Sequence, residues 1–188
     1  KEGFEAFKAT IDLTSFSVGG FQGLLLYTLI GTAATVIMQS SHATLVLIIA
    51  ALAASQITYE NALALAIGSN IGTTITAIIG SLSANVEGKK LAVAHLIFNL
   101  VTGLIAIALI HQFIFAVDTS AAFFGIANDD YTLKLALFHT FFNLLGIIVM
   151  LPFTEKLVDF LNRMVKQKST KELGRDDVAF ITESALAF

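Results

Sequence analysis

Between Asp12 and Glu87 the chain carries a single charged residue, Glu60. No soluble fold of this size has a core deep enough to hide so long an uncharged run, so the solvent that accepts it is lipid. Apolar residues make up 56% of the 188, mean hydropathy is +0.81, and charged residues reach only 13%, where a soluble domain carries about 25%. A formal net charge of -3, with the basic residues crowded after Pro152 rather than laid out as a stripe, removes nucleic-acid binding. The absence of cysteine removes a disulfide framework, a thiolate metal site and a cysteine nucleophile together. Lys1-Glu2-Gly3 opens the chain without a basic leader and apolar core, so nothing reads as a signal peptide, and a piece of a longer protein is expected.

Apolar character fills four regions, 21–54, 62–80, 91–117 and 132–153, preceded by an outer-side interfacial lead-in over 1–19. The last two regions are each long enough to cross a hydrocarbon layer of roughly 30 Å as plain helices. Lys89 and Lys90 precede the first, and Lys156, Arg163, Lys166, Lys168, Lys171 and Arg175 follow the second. Both ends therefore belong in the cytoplasm. The loop between them carries Asp118, Asp129 and Asp130 and no lysine or arginine before Lys134, which suits the opposite side.

The first two regions are interrupted. In 62–80 the middle reads Gly68-Ser69-Asn70-Ile71-Gly72-Thr73-Thr74, which costs helix propensity and predicts a transmembrane helix broken at membrane depth. In 21–54, apolar stretches flank Gln39-Ser40-Ser41-His42-Ala43-Thr44, and the second is too short to span. A re-entrant helical hairpin with that sextet at its tip is expected, leaving Glu60 solvated at the outer interface.

Interrupted hydrophobic segments point to a transporter's binding site, formed where half-helix ends meet. Helix N-termini near Ala43 and Thr73 would present free N–H groups and positive dipole ends to a small anion. Carbonyls near Met38 and Gly68, with side-chain oxygens of Gln39, Ser40, Thr73 and Thr76, would offer hard neutral oxygens to an alkali cation. No Asp, Glu, Lys or Arg stands at an intramembrane position in this reading. Charge is then balanced by dipoles and co-bound sodium rather than by a carboxylate relay.

A weak internal repeat, His-x-x-Phe-Asn-Leu, begins at His95 and again at His139. Histidine and asparagine at i, i+4 share a helix face and read as buried polar clips, with a proton relay or metal site as the alternative.

The combination of Gln39-Ser40-Ser41, Gly68-Ser69-Asn70-Ile71-Gly72-Thr73-Thr74 and His95-x-x-Phe98-Asn99 resembles the type II sodium-dependent phosphate cotransporter family over roughly residues 20–150. The likeness is to the second of that family's two inverted repeats. It implies an all-α integral membrane fold, half of an inverted-repeat transporter, that carries inorganic phosphate with sodium by alternating access. Its other half is a missing first repeat or a second copy of the chain. Carried over residue by residue, it implies sodium contacts at Gln39, Ser40, Thr73 and Thr76, and phosphate contacts around Ser41, His42 and Asn70. Family members usually have a third serine where His42 stands, which leaves another small oxyanion as an alternative substrate.

After Pro152 the apolar residues Leu157, Phe160, Leu161, Met164 and Val165 recur at helical spacing among charges, predicting an amphipathic cytoplasmic helix. The residues up to 188 resemble the linker by which bacterial members enter a PhoU-like domain, so the expected location is the bacterial inner membrane. No organic cofactor is implied, and sodium enters as a coupled co-substrate. The rival reading, an intramembrane enzyme using His95 or His139 as general base, requires a nucleophile or metal within hydrogen-bond reach.

Overall fold

A computed structural model describes residues 20–165, and these are helical, with no strand among them. The expected lead-in over 1–19 and the linker beyond the tail helix lie outside the described residues. Helix α1, Gly20–Met38, and helix α2, Ser41–Ala53, are followed by α3, Tyr59–Gly80, and by a 3-10 turn over Ser81–Ser83. Helices α4, Val86–Ala108, α5, Ile110–Phe123, and α6, Tyr131–Met150, come next, then a 3-10 turn, Leu151–Phe153, and α7, Thr154–Met164. Four stretches are long and apolar enough to cross a membrane: Gly20–Met38, Tyr59–Ser83, Val86–Ala108 and Tyr131–Met164. At 13 residues, α2 extends only about 20 Å and falls short of a span.

The centre of the bundle is the contact between α1 and α3. Gly23, Leu24, Tyr27, Thr28, Gly31 and Thr35 are the buried face of α1. The two backbones nearly touch along that face: a β-carbon on Gly31 would strike the Leu65 carbonyl, one on Gly68 the Thr28 carbonyl, and one on Gly72 the Thr32 carbonyl and Thr35 side chain. Small residues permit this approach, and in lipid close packing of this kind holds helices together where no hydrophobic force separates tails from side chains. Thr32 Oγ1 adds a bond across the seam, donating to the Gly68 carbonyl at 3.0 Å. Gly31 meets Leu65, and Thr35 meets Ser69. The two helices therefore run parallel, in a register offset of 34 residues.

This seam corrects the expectation of a broken helix over 62–80. Helix α3 runs unbroken for 22 residues from its N-cap, where the Thr58 side chain accepts from the Asn61 N–H at 3.2 Å. The glycines that suggested a break serve close approach instead. Keeping every backbone bond inside the helix is also what an apolar medium favours.

A second correction concerns 91–117. Helix α4 ends at Ala108, and Leu109, at φ -108 and ψ 25, turns the chain into a separate helix. The buried stripe of α5, Ile110, Phe113, Val117 and Ala121, faces a different partner from α4. Phe113 packs edge-on against Phe138 of α6 with centroids 5.5 Å apart, whereas α4 packs chiefly on α3. The 132–153 helix appears as α6, capped by Asp130, whose carboxylate accepts from the Leu133 N–H at 3.0 Å. The amphipathic tail helix appears as α7, with Leu161 buried.

Candidate functional site at the hairpin tip

Two residues make the turn between α1 and α2. Gln39 takes a left-handed φ of 51°, unusual for a residue with a β-carbon. Ser40 is extended, at φ -152 and ψ 108, and its side chain accepts from the Ala43 N–H at 3.2 Å. With Ala43 capped by the side chain and Thr44 N–H bonded to the Ser40 carbonyl at 3.1 Å, the N–H groups of Ser41 and His42 have no intrahelical acceptor. They form an open, positively polarised helix end.

Beneath the tip, three buried hydroxyls join three helices. Thr35 Oγ1 lies 2.9 Å from Thr44 Oγ1 and 3.1 Å from Ser69 Oγ, and Thr44 Oγ1 lies 3.1 Å from the Ser40 carbonyl. Each hydroxyl has one proton to give. One order uses all of them: Ser69 donates to Thr35, Thr35 to Thr44, and Thr44 to the Ser40 carbonyl. This chain ties the turn to α3. Thr35 carried no signal in the sequence beyond being a threonine in an apolar helix, whereas Thr44 and Ser69 lay inside the two polar clusters.

Extending the register by one turn puts Gln39 level with Thr73. Asn70, Thr73 and Thr76 are half-buried on α3, and each donates to its own helix: Asn70 Nδ2 to the Ala66 carbonyl at 3.2 Å, Thr73 Oγ1 to Ser69 at 3.0 Å and Thr76 Oγ1 to Thr73 at 2.7 Å. A threonine that spends its proton backwards presents only lone pairs outward, which suits a cation better than an anion. Gln39 and His42 are exposed, and Ser40 and Ser41 are half-buried.

The continuity of α3 removes two expected elements. There is no helix N-terminus at Thr73, and the Gly68 carbonyl is taken by Thr32. One helix end, that of α2, remains at the tip. The His-Asn repeat holds in a local form: Asn99 Nδ2 donates to the His95 carbonyl at 3.1 Å and Asn143 Nδ2 to the His139 carbonyl at 2.8 Å. The bonds go to backbone, not imidazole. Among the described residues no group of three His, Cys, Asp or Glu is placed to hold a metal.

One charged residue departs from the sequence reading. Lys134, in the first turn of α6, is buried, and its Nζ lies 2.9 Å from Asp118 Oδ1 on α5.

The profile of the Na+/Pi-cotransporter family matches residues 21–167, which includes the hairpin, the α1–α3 seam and the repeat. The chain belongs to this family. It is a family of transporters and not of enzymes, which removes the reading of His95 and His139 as general bases, and the two asparagines bond within their own helices rather than clipping one helix to another. Among curated proteins, the chain is 30% identical over 145 residues to the "Putative inorganic phosphate export protein YjbB" of Escherichia coli (strain K12), covering 77% of this chain and 25% of that one. The protein of the same name in Salmonella typhimurium is 28% identical over the same length. "Uncharacterized protein YqeW" of Bacillus subtilis (strain 168) is 29% identical over 140 residues, 74% of this chain and 43% of its own. The chain thus spans about a quarter of the first of these relatives. No solved structure matches it.

Proposed function

We propose that the hairpin tip is one half of a translocation site for inorganic phosphate, with sodium as the coupled ion. The observation that carries this reading is the open helix N-terminus at Ser41–His42, at the level where the α1–α3 register of 34 residues puts Thr73. Phosphate is held by the α2 N–H groups, the Ser41 hydroxyl, His42 and the Asn70 amide. Sodium is held by oxygens of Gln39, Ser40, Thr73 and Thr76, which are neutral and hard. A single helix end supplies about half a charge, and phosphate carries one to two. The site therefore needs the cations and a second hairpin, from a first repeat of the same protein or from another copy of this chain, arranged as an inverted repeat.

The tip sits seven residues short of the end of α3, about 10 Å below it at 1.5 Å per residue. That depth supports a re-entrant hairpin, and the lysines and arginines at 89–90 and after 155 support placing the 81–90 loop and the tail helix in the cytoplasm of a bacterial inner-membrane protein. The names of the relatives speak of export, and the family of cotransport. Direction is therefore read in the same assay as coupling. Full-length protein is reconstituted in proteoliposomes and radiolabelled phosphate flux is followed under an inward sodium gradient, an outward one, and a pH gradient with sodium excluded. Flux that follows the sodium gradient supports the proposal. Robust flux on a pH gradient alone overturns the coupling, and preference for arsenate or sulfate in competition overturns the substrate.

A further inference from the structure

The hairpin has another end. Ser55, at φ 56°, closes α2, its N–H bonding to the Leu52 carbonyl and that of Gln56 to Ala51. Between this turn and the start of α3 lies a cavity of about 370 Å³ bordered by Tyr27, Ser55, Gln56, Tyr59, Asn61 and Tyr131. Those are all three tyrosines of the chain, drawn from three different helices.

Two amide side chains mark it as more than a packing gap. Gln56 is 7% exposed and Asn61 9%, yet among the described residues neither carboxamide has a hydrogen-bond partner, and both line the cavity. Among the described residues the Tyr59 hydroxyl is the one buried side-chain polar atom without a partner, and the Gln56 and Asn61 amides open onto the cavity instead. Unpaired buried polar groups are costly, and a ligand that satisfies several at once removes that cost.

The surroundings choose the sign of the ligand. Lys134 is the cation nearest the cavity, 5.6 Å from the Tyr59 ring centroid, and its charge is matched by Asp118 at 2.9 Å. Glu60, beside His111 at 4.0 Å, and Asp129 and Asp130 at the start of α6 stand at the same end of the bundle. An anion meets this excess of carboxylates, and a neutral ligand gains nothing from it. A monovalent cation gains from the field and from the neutral oxygens. The cavity is larger than a bare sodium ion, so the ion keeps part of its water.

We propose that this cavity binds a hydrated sodium ion through the amide oxygens of Gln56 and Asn61 and the phenol oxygens of Tyr27, Tyr59 and Tyr131. This site stands at the opposite end of the hairpin from the phosphate site and does not depend on that reading.

Because the chain has no tryptophan, tyrosine emission reports on this cavity. The chain in liposomes of phosphatidylethanolamine and phosphatidylglycerol is titrated with sodium chloride, with choline chloride holding ionic strength constant. A saturable emission change is expected. Gln56→Ala with Asn61→Ala raises the half-saturating concentration about tenfold. Tyr131→Phe, which keeps ring and volume, raises it about threefold. Circular dichroism checks the fold of each variant, and where the double variant loses helix the Tyr131→Phe shift decides. An equal response to choline, a response to phosphate at fixed sodium, or a sodium response that a folded variant leaves unmoved overturns the proposal. Gln39→Ala is expected to leave the emission change intact. If it abolishes the change, the ion is at the hairpin tip and this cavity is not its site.

Discussion

Two polar interruptions, Gln39–Thr44 and Gly68–Thr74, look alike in the sequence and fold differently. The first leaves the helix through a left-handed glutamine and restarts on a serine cap. The second never leaves it. The difference lies in what stands opposite. Gly68 and Gly72 face the backbone of α1, so their missing side chains are filled by a neighbour. At the turn Ser40 is engaged in the cap and the hydroxyl chain, while Gln39 and His42 stay exposed. A gap in an apolar helix is a packing device where a partner fills it and a site where none does.

The comparison breaks most severely if the glycines can be filled. Gly68→Ala drives a β-carbon into the Thr28 carbonyl and is expected to destabilise the protein by about 3 kcal/mol. Gly80, with nothing within 4 Å, should accept alanine within about 0.5 kcal/mol. Thermal unfolding in detergent measures both, and equal effects would return Gly68 to the role of a helix breaker.

Next in size are the ligands. Gln39→Ala and Thr73→Val each remove an oxygen from the tip, and each should raise the half-saturating sodium concentration for phosphate flux about tenfold while leaving unfolding nearly unchanged. Unchanged sodium dependence in both makes these residues packing glue.

A smaller effect separates strain from function. Gln39→Gly relieves the left-handed backbone and should stabilise the protein by about 1 kcal/mol, yet it should lower flux as Gln39→Ala does. The smallest is Ser40→Ala, which loses the cap on α2 and about 1 kcal/mol or less of stability, read as a lower unfolding temperature.

Much of the fold was legible because apolar length is a one-dimensional property. The two arms around Gln39–Thr44 and the helix after Asp130 could be read that way, since a polar run or an acidic cap marked each boundary. The polar segment of α3 misled because glycine lowers helix propensity in any sequence, while its partner across the seam is known only once α1 is docked. The end of α4 at Leu109 was hidden for a related reason: neither proline nor glycine marks it, and the change of partner, with Phe113 packed on Phe138, exists only in the folded bundle. Of the candidate site, the two polar clusters were legible and their levels in the bundle were not. That Gln39 lies level with Thr73 follows from an offset of 34 residues between parallel helices, which no local pattern encodes. The Lys134–Asp118 pair was hidden because Asp118 read as part of the loop between two helices, whereas it lies on α5.

The parallel course of α1 and α3 also bears on how the protein enters a membrane. Both helices begin at the same end of the bundle, and the chain returns between them through a 13-residue helix about 20 Å long. Insertion machinery that releases helices one at a time would leave α1 pointing across the bilayer, with α3 starting on the wrong side. Helices α1, α2 and α3 must therefore partition together, already joined along Gly31, Gly68 and Gly72, so that for this segment biogenesis and tertiary folding are one event.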